Sequence, residues 1–173
     1  MKRIIIVLGI ACISAIATAQ YSENETALQG FRAFNVQDMV GDELFEVIIG
    51  KERGKVIVVD FWGTWCGPCI QAHEQLKPHK SKINTDNVTF VYITSVSSPL
   101  ETWENMISEI YGNHYRLTRD QHNYMLRRLL GLRLGGGIPT YIVLDKNGKR
   151  VFSRSGFPGV ETILGKINEA LEK

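Results

Sequence analysis

In the stretch VIVVDFWGTWCGPCI, Cys66 and Cys69 stand two residues apart, and one acid, Asp60, lies six positions ahead of the first. If Cys-Gly-Pro-Cys opens a helix, Cys66 occupies its N-terminus, where unbonded backbone N–H groups and the helix dipole favour negative charge. A thiol there ionises more easily, its pKa falling from about 8.5 toward about 7 or below. Cys69, three residues on, faces the same side and can bond Cys66 with little backbone movement. Pro68 has no N–H to lose in a first helical turn, and Gly67 and Pro68 put little side chain in the way of a partner's sulfur. Cys66 is therefore read as the attacking thiolate and Cys69 as the thiol that displaces the resulting mixed disulfide. Asp60 is the candidate for taking the Cys69 proton, because a carboxyl buried in an apolar strand holds its proton to higher pH and accepts one near neutrality. The alternative is an acid that points to solvent at a strand end or pairs with a lysine.

Other uses of the two sulfurs fit less well. A structural bridge over two intervening residues closes too short a loop to stabilise much. Cys66, Cys69, His73 and His79 form C-x2-C-x3-H-x5-H, a metal-like set, but a finger separates its cysteine pair from its histidine pair by a longer loop. His73, one helical turn after Cys69, is read as a surface residue. A peroxidase would carry serine or threonine three before its cysteine with a proline ahead, and Gly63 stands there instead. Trp62 and Trp65 flank the cysteines; Trp65 is read either as docking surface or as core.

The elements that must hold this pair alternate along the chain. Residues 55–61 (KVIVVDF) and 88–96 (VTFVYITSV) are β-branched apolar runs typical of strands buried on both faces. A helix runs from Gly67 to about Lys82. Ser98-Pro99-Leu100-Glu101 carries a cap signature for a helix to about Tyr111, ended by Gly112-Asn113. Residues 114–118 form a short strand, and Asp120 caps a helix to about Leu130 with Gly131 as its stop. A third long strand spans 138–144, Asp145-Lys146-Asn147-Gly148 makes a hairpin, and 150–154 returns antiparallel. Val160, Ile163, Leu164, Ile167 and Leu171 make one apolar helix face. Residues 44–49 fit a short strand or a turn of helix. The sum is an α/β sandwich with a mixed sheet.

The N-terminus reads as a signal peptide over residues 1–19: Lys2 and Arg3, an apolar stretch from Ile4 to Ile16, and Ala17-Thr18-Ala19 before the cut. The run is shorter than the ~20 apolar residues of a membrane span, and Cys12 sits too deep within it for a lipoprotein. A loose leader follows over 20–30. Cleavage removes two bases and no acid from the 20 basic and 18 acidic residues, leaving a chain near neutrality. That excludes a nucleic-acid partner, which needs a clustered positive surface. It also leaves Cys66 and Cys69 as the sole cysteines, outside the reducing cytosol.

VVDFWGTWCGPC resembles the active-site segment of thioredoxins, and Gly137-Ile138-Pro139-Thr140 resembles their second signature. The resemblance covers about residues 31–173. An insertion at about 97–134, before the strand led by Pro139, is similar to that of the periplasmic TlpA/ResA-like branch. It implies the thioredoxin fold, a central mixed sheet flanked by helices, with an inserted helix and strand. It also implies a cis Ile138–Pro139 bond facing the cysteines, where Ile138 and Pro139, with Trp65, Gly67 and Pro68, meet an extended substrate segment. The activity implied is thiol–disulfide oxidoreduction without a cofactor, acting on protein disulfides, reductive in direction, with electrons from a membrane donor. An oxidase or isomerase of secreted proteins, or a metal-binding Cys-x-x-Cys module, is the alternative. Two departures stand out: Glu74 replaces a proline that commonly kinks the helix, and the strand position of the lysine that often pairs with the buried acid holds Tyr92.

Overall fold

The computed structural model describes residues 31–131 and 137–173. The leader over 1–30 and the last residues of the insertion lie outside them.

The elements in chain order are β1 (Phe31–Phe34), α1 (Gly41–Ile48), β2 (Val56–Phe61), α2 (Gly67–Lys80), β3 (Val88–Ser95), α3 (Leu100–Ile107), β4 (Gly112–Leu117), α4 (Arg119–Leu130), β5 (Thr140–Leu144), β6 (Arg150–Ser155) and α5 (Val160–Leu171). They build one six-stranded sheet in the order β1-β4-β3-β2-β5-β6. β1, β4, β3 and β2 run parallel, and β5 and β6 are antiparallel to their neighbours. Every residue of β2 is buried, as expected for a central strand covered on both faces.

The two-residue period of the strands sorts their side chains between two cores. Ile57, Val59, Phe61, Val91, Ile93, Ile142 and Leu144 pack on one face with Leu44, Ile48, Met125 and Leu129 of α1 and α4. Val56, Val58, Phe90, Tyr92, Tyr141 and Val143 pack on the other with Cys69, Ala72 and Leu76 of α2, Trp103 and Ile107 of α3, and Ile163 and Ile167 of α5. Asp60 follows Val56 and Val58 at the same period, so it falls on the face that carries Cys69.

The long strands, the terminal helix and the hairpin form where their patterns predict. In the hairpin the Asp145 carboxylate accepts the N–H groups of Asn147 and Lys149. Residues 44–49 fall in helix α1 and the position after it, and the four-residue β1 carries too short a pattern to be read. Two helix starts differ from expectation. Ser98 does not cap α3; Pro99 takes the N-cap position, and the Ser98 hydroxyl is spent on Thr94 Oγ1 and on the N–H of Thr64. Asp120 does not cap α4; Thr118 does, in a reciprocal box with Gln121. The Gln121 amide also reaches the carbonyls of Val36, Gln37 and Met39, tying α4 to the segment after β1.

Gly112 is not a helix stop but the first residue of β4. Its φ is +137°, and a Cβ there would lie 2.7 Å from Tyr92 Cε2 and 2.8 Å from the Phe90 carbonyl oxygen. A side chain would both strain the backbone and press on a neighbouring strand. Gly112→Ala should therefore lower unfolding free energy by about 2–4 kcal/mol, seen as a reduced denaturation midpoint at unchanged slope.

Candidate active site

Helix α2 starts at the cysteines. Cys66 is its N-cap residue, Gly67 and Pro68 fill the first turn and are exposed, and Cys69 lies on the inner face. The two sulfurs are joined in a disulfide across a Cα–Cα distance of 5.3 Å. Cys66 Sγ accepts the N–H of Cys69 at 3.3 Å. The same N–H also donates to the Cys66 carbonyl at 3.0 Å, so one first-turn backbone donor is shared between that oxygen and the sulfur, in keeping with the preference of a helix N-terminus for negative charge. Cys66 retains 5% exposure and Cys69 none, so an incoming sulfur can meet only the first.

The loop ahead of Cys66 is held by the start of the insertion. Thr64 N–H donates to Ser98 Oγ at 3.0 Å, and Trp65 Nε1 donates to Ser97 Oγ at 3.3 Å. Arg116 of β4 donates in turn to the Ser98 and Val96 carbonyls. Trp65 is 62% exposed, so its ring is surface rather than core, whereas Trp62 is buried. Across the loop, the Ile138–Pro139 bond is cis. The Pro139 carbonyl accepts the N–H of Gly156, at φ +82°, at 2.8 Å. A Cβ on Gly63 would meet Trp65 at 3.1 Å and Ile138 Cδ1 at 3.2 Å. Ile138 therefore packs against the loop that leads to Cys66, and glycine at 63 is what allows the approach.

Asp60, on the face of β2 that packs towards the core containing Cys69, is 1% exposed. Its Oδ2 sits 2.9 Å from His73 Nε2. The expectation of a surface His73 is corrected here: it is buried, because position 73 is one turn from Cys69 and the inner stripe of α2 runs through Cys69, Ala72, His73, Leu76 and Lys80. The four residues of the metal-like set do not converge, since His73 Nε2 is engaged by Asp60 and the sulfurs by each other.

Residues 29–161 match the redoxin family. The chain belongs to that family. Thiol-disulfide oxidoreductase ResA of Bacillus thuringiensis (strain Al Hakam) is 25% identical over 154 residues, covering 83% of this chain and 86% of its own. The thiol:disulfide interchange protein HelX of Rhodobacter capsulatus is 28% identical over 143 residues, covering 82% and 75%. A solved thioredoxin-family thiol:disulfide interchange protein from Chlorobium tepidum TLS superposes with a TM-score of 0.60 at 25% identity, over 70% of this chain and 83% of its own. This redoxin is a TlpA/ResA-like protein of the thioredoxin fold and a thiol–disulfide oxidoreductase.

In this redoxin the buried acid has more polar company than its sequence suggested. The missing cation comes from α2 instead of the strand. Lys80 is buried, and its ammonium donates to the hydroxyl of Tyr92, the residue that stands where a strand lysine was sought. Burial lowers the Lys80 pKa to about 8, against the charge of Asp60, which opposes that fall. Burial, and then the Asp60 charge, push the Tyr92 phenol well above its usual range. Tyr141 lies directly across the sheet from Asp60. Its hydroxyl completes no hydrogen bond among the described residues, yet burial and the nearby carboxylate hold it protonated. His114 of β4 stacks on Tyr92 with centroids 4.7 Å apart, and its Nε2 is bonded to the Ile110 carbonyl at 2.7 Å.

Burial pushes the His114 pKa from the usual 6.5 to about 3, the Ile110 carbonyl opposing. Between those values the unfolded chain takes up a proton that the folded protein refuses, so stability falls as pH drops through this window. His114→Gln keeps a donor for Ile110 and removes the titrating group. Its loss of unfolding free energy between pH 7 and pH 4 should be smaller than that of the parent by on the order of 2–3 kcal/mol, measured by denaturant titration at both values.

Proposed function

We propose that this redoxin works outside the cytoplasm as a disulfide reductase, with Cys66 as nucleophile and Cys69 as resolving thiol. The observation that carries the assignment is the pairing of a helix-capping Cys66 that accepts a backbone N–H with a fully enclosed Cys69 one turn inward. In the reduced protein the Cys66 thiolate attacks a substrate disulfide. One Cys66–substrate S–S bond forms, and the other substrate sulfur leaves as a thiolate. Asp60 takes the Cys69 proton, Cys69 attacks Cys66 Sγ, and the second substrate thiolate departs with the electron pair of the mixed disulfide. A dithiol donor at the membrane restores Cys66 and Cys69 with two electrons.

The geometry supports a proteinaceous substrate. Gly67 and Pro68 are exposed and small, and Trp65 stands out from the surface ahead of Cys66. Residues 137–139 lead into β5 beside the same loop, where an extended segment around the target disulfide can lie. The exposed Val96 and Leu100 belong to the segment that binds the loop through Ser97 and Ser98 and extend the apolar surface available to a partner. Location outside the cytoplasm is supported by the basic–apolar–small order of residues 1–19, the domain beginning near residue 31. Among the described residues no helix is long and apolar enough to cross a membrane. The reductive direction is supported by the Gly67–Pro68 pair.

Cys66→Ser should reduce insulin-disulfide reduction to the uncatalysed rate. Cys69→Ser should instead accumulate mixed disulfides on Cys66, visible as reductant-sensitive bands on a non-reducing gel. Activity unchanged in Cys66→Ser would overturn the mechanism. Equilibration against glutathione tests the direction: a potential as positive as about −120 mV would mark an oxidant and overturn the reductase assignment, and one near −270 mV would support it.

A further inference from the structure

We propose that His73 is the positioning residue through which the proton that Asp60 takes from Cys69 leaves the buried site, toward a cavity on the side of α2 away from the disulfide. The proposal rests on Asp60 being the acceptor.

Asp60 is sealed from water, so any proton it exchanges with solvent passes through a neighbouring polar group. Among the described residues His73 closes a hydrogen bond to the carboxylate at 2.9 Å, while the Tyr141 hydroxyl interacts with the same carboxylate without reaching full hydrogen-bond geometry. The His73 ring is fixed in place, edge-on to Trp62 at 4.9 Å and to Tyr92 at 5.4 Å. Its Nδ1 has no partner among the described residues, although it is buried. A buried donor or acceptor left unsatisfied is unusual and asks for a ligand such as water. His73 is among the residues that line a cavity of about 400 Å³. Glu74, Lys77 and Glu109 also line it, and the last two are surface side chains joined by an exposed ion pair. The cavity thus runs from bulk solvent to His73 without passing Cys66.

The other titratable groups facing this point are poorly suited to the task. Tyr92 of β3 and Tyr141 of β5 stay protonated. Lys80 of α2 also lines the cavity, but its ammonium is bonded to Tyr92 and completes no hydrogen bond to Asp60, and His114 of β4 spends Nε2 on the Ile110 carbonyl. The transfer balances without any further reactant. The Cys69 S–H bond breaks and an Asp60 O–H bond forms as Cys69 sulfur bonds Cys66 and the substrate thiolate leaves. The Asp60 proton then passes to His73 Nε2 while Nδ1 releases its own proton to cavity water. When a donor reduces the disulfide, the same steps run backward and return a proton to Cys69.

The test isolates the second half-reaction. A mixed disulfide between Cys66 and a small aromatic thiol is mixed rapidly into buffers from pH 5 to 9, and release of the thiol is followed by absorbance. His73→Gln can still bond Asp60 but cannot relay a proton, and His73→Ala opens the place of the ring. Both should slow release about tenfold or more near neutral pH, with the deficit shrinking at high pH as hydroxide takes over. Added imidazole should restore the rate of His73→Ala in a saturable way and leave the parent unchanged. Release at the parental rate in His73→Gln across the pH range, or no imidazole rescue of a slowed His73→Ala, would overturn the relay. Asp60→Asn separates the two assignments. A parental rate in that variant would show that Asp60 is not the acceptor, and a slowed one alongside a parental His73→Gln would sink the relay alone.

Discussion

A carboxylate enclosed between a sheet and a helix is the constraint around which this protein is arranged. Removing a charged group from water is costly unless other groups replace its hydration. Here the replacements come from two strands and one helix. His73 meets Asp60 directly. Tyr141 stands opposite on β5, and Tyr92, with Lys80 bonded to its hydroxyl, stands beside it on β3. The requirement fixes the rotation of α2, because a helix that must present Cys69, His73 and Lys80 to the sheet has one face on which to do so. The sulfur chemistry at the tip of the helix and the polar cluster along its length are set by the same rotation.

Polarity therefore changes along α2 in a useful order. At its start, the Cys69 N–H points at the Cys66 sulfur, a setting that favours an anion. One turn in, Cys69 is enclosed with no exposure. Next comes His73 against the acid, and two turns further the Lys80 ammonium. One sulfur accepts a backbone N–H at the helix start and the other is enclosed one turn inward, so two residues of the same type meet different surroundings by position along one helix. The loop that presents Cys66 is in turn held by hydroxyls of Ser97 and Ser98, so the setting of the first sulfur depends on the inserted segment as well as on α2.

The sequence was legible where a local pattern decides the outcome. Two cysteines at the start of a helix, a β2 that is apolar but for Asp60 and the Asp145–Gly148 turn each carry their structure within a few residues. It was illegible where distant parts decide. His73 and Lys80 are polar types on an amphipathic helix, and each looks like solvent-facing residue until the helix register is taken from Cys69. Counting four and eleven positions from that buried sulfur would have placed both on the inner face. Searching the strand opposite the acid for its cation failed because the cation arrives from a helix. Ser98 misled for a different reason: its hydroxyl had two possible uses, capping α3 or bonding the Thr64 N–H, and the choice depends on a loop 34 residues away. The segment after β1 is similar, secured by the Gln121 amide from far along the chain.

The insertion is more than an ornament on the sheet. β4 lies between β1 and β3, so part of the inserted segment is interior to the architecture that carries the cysteines. Its helical flank meets solvent while its strand bridges two others. Substitutions on the outward side of α3 touch surface alone, whereas losing the segment would take β4 out from between β1 and β3 and split the sheet that carries the cysteines.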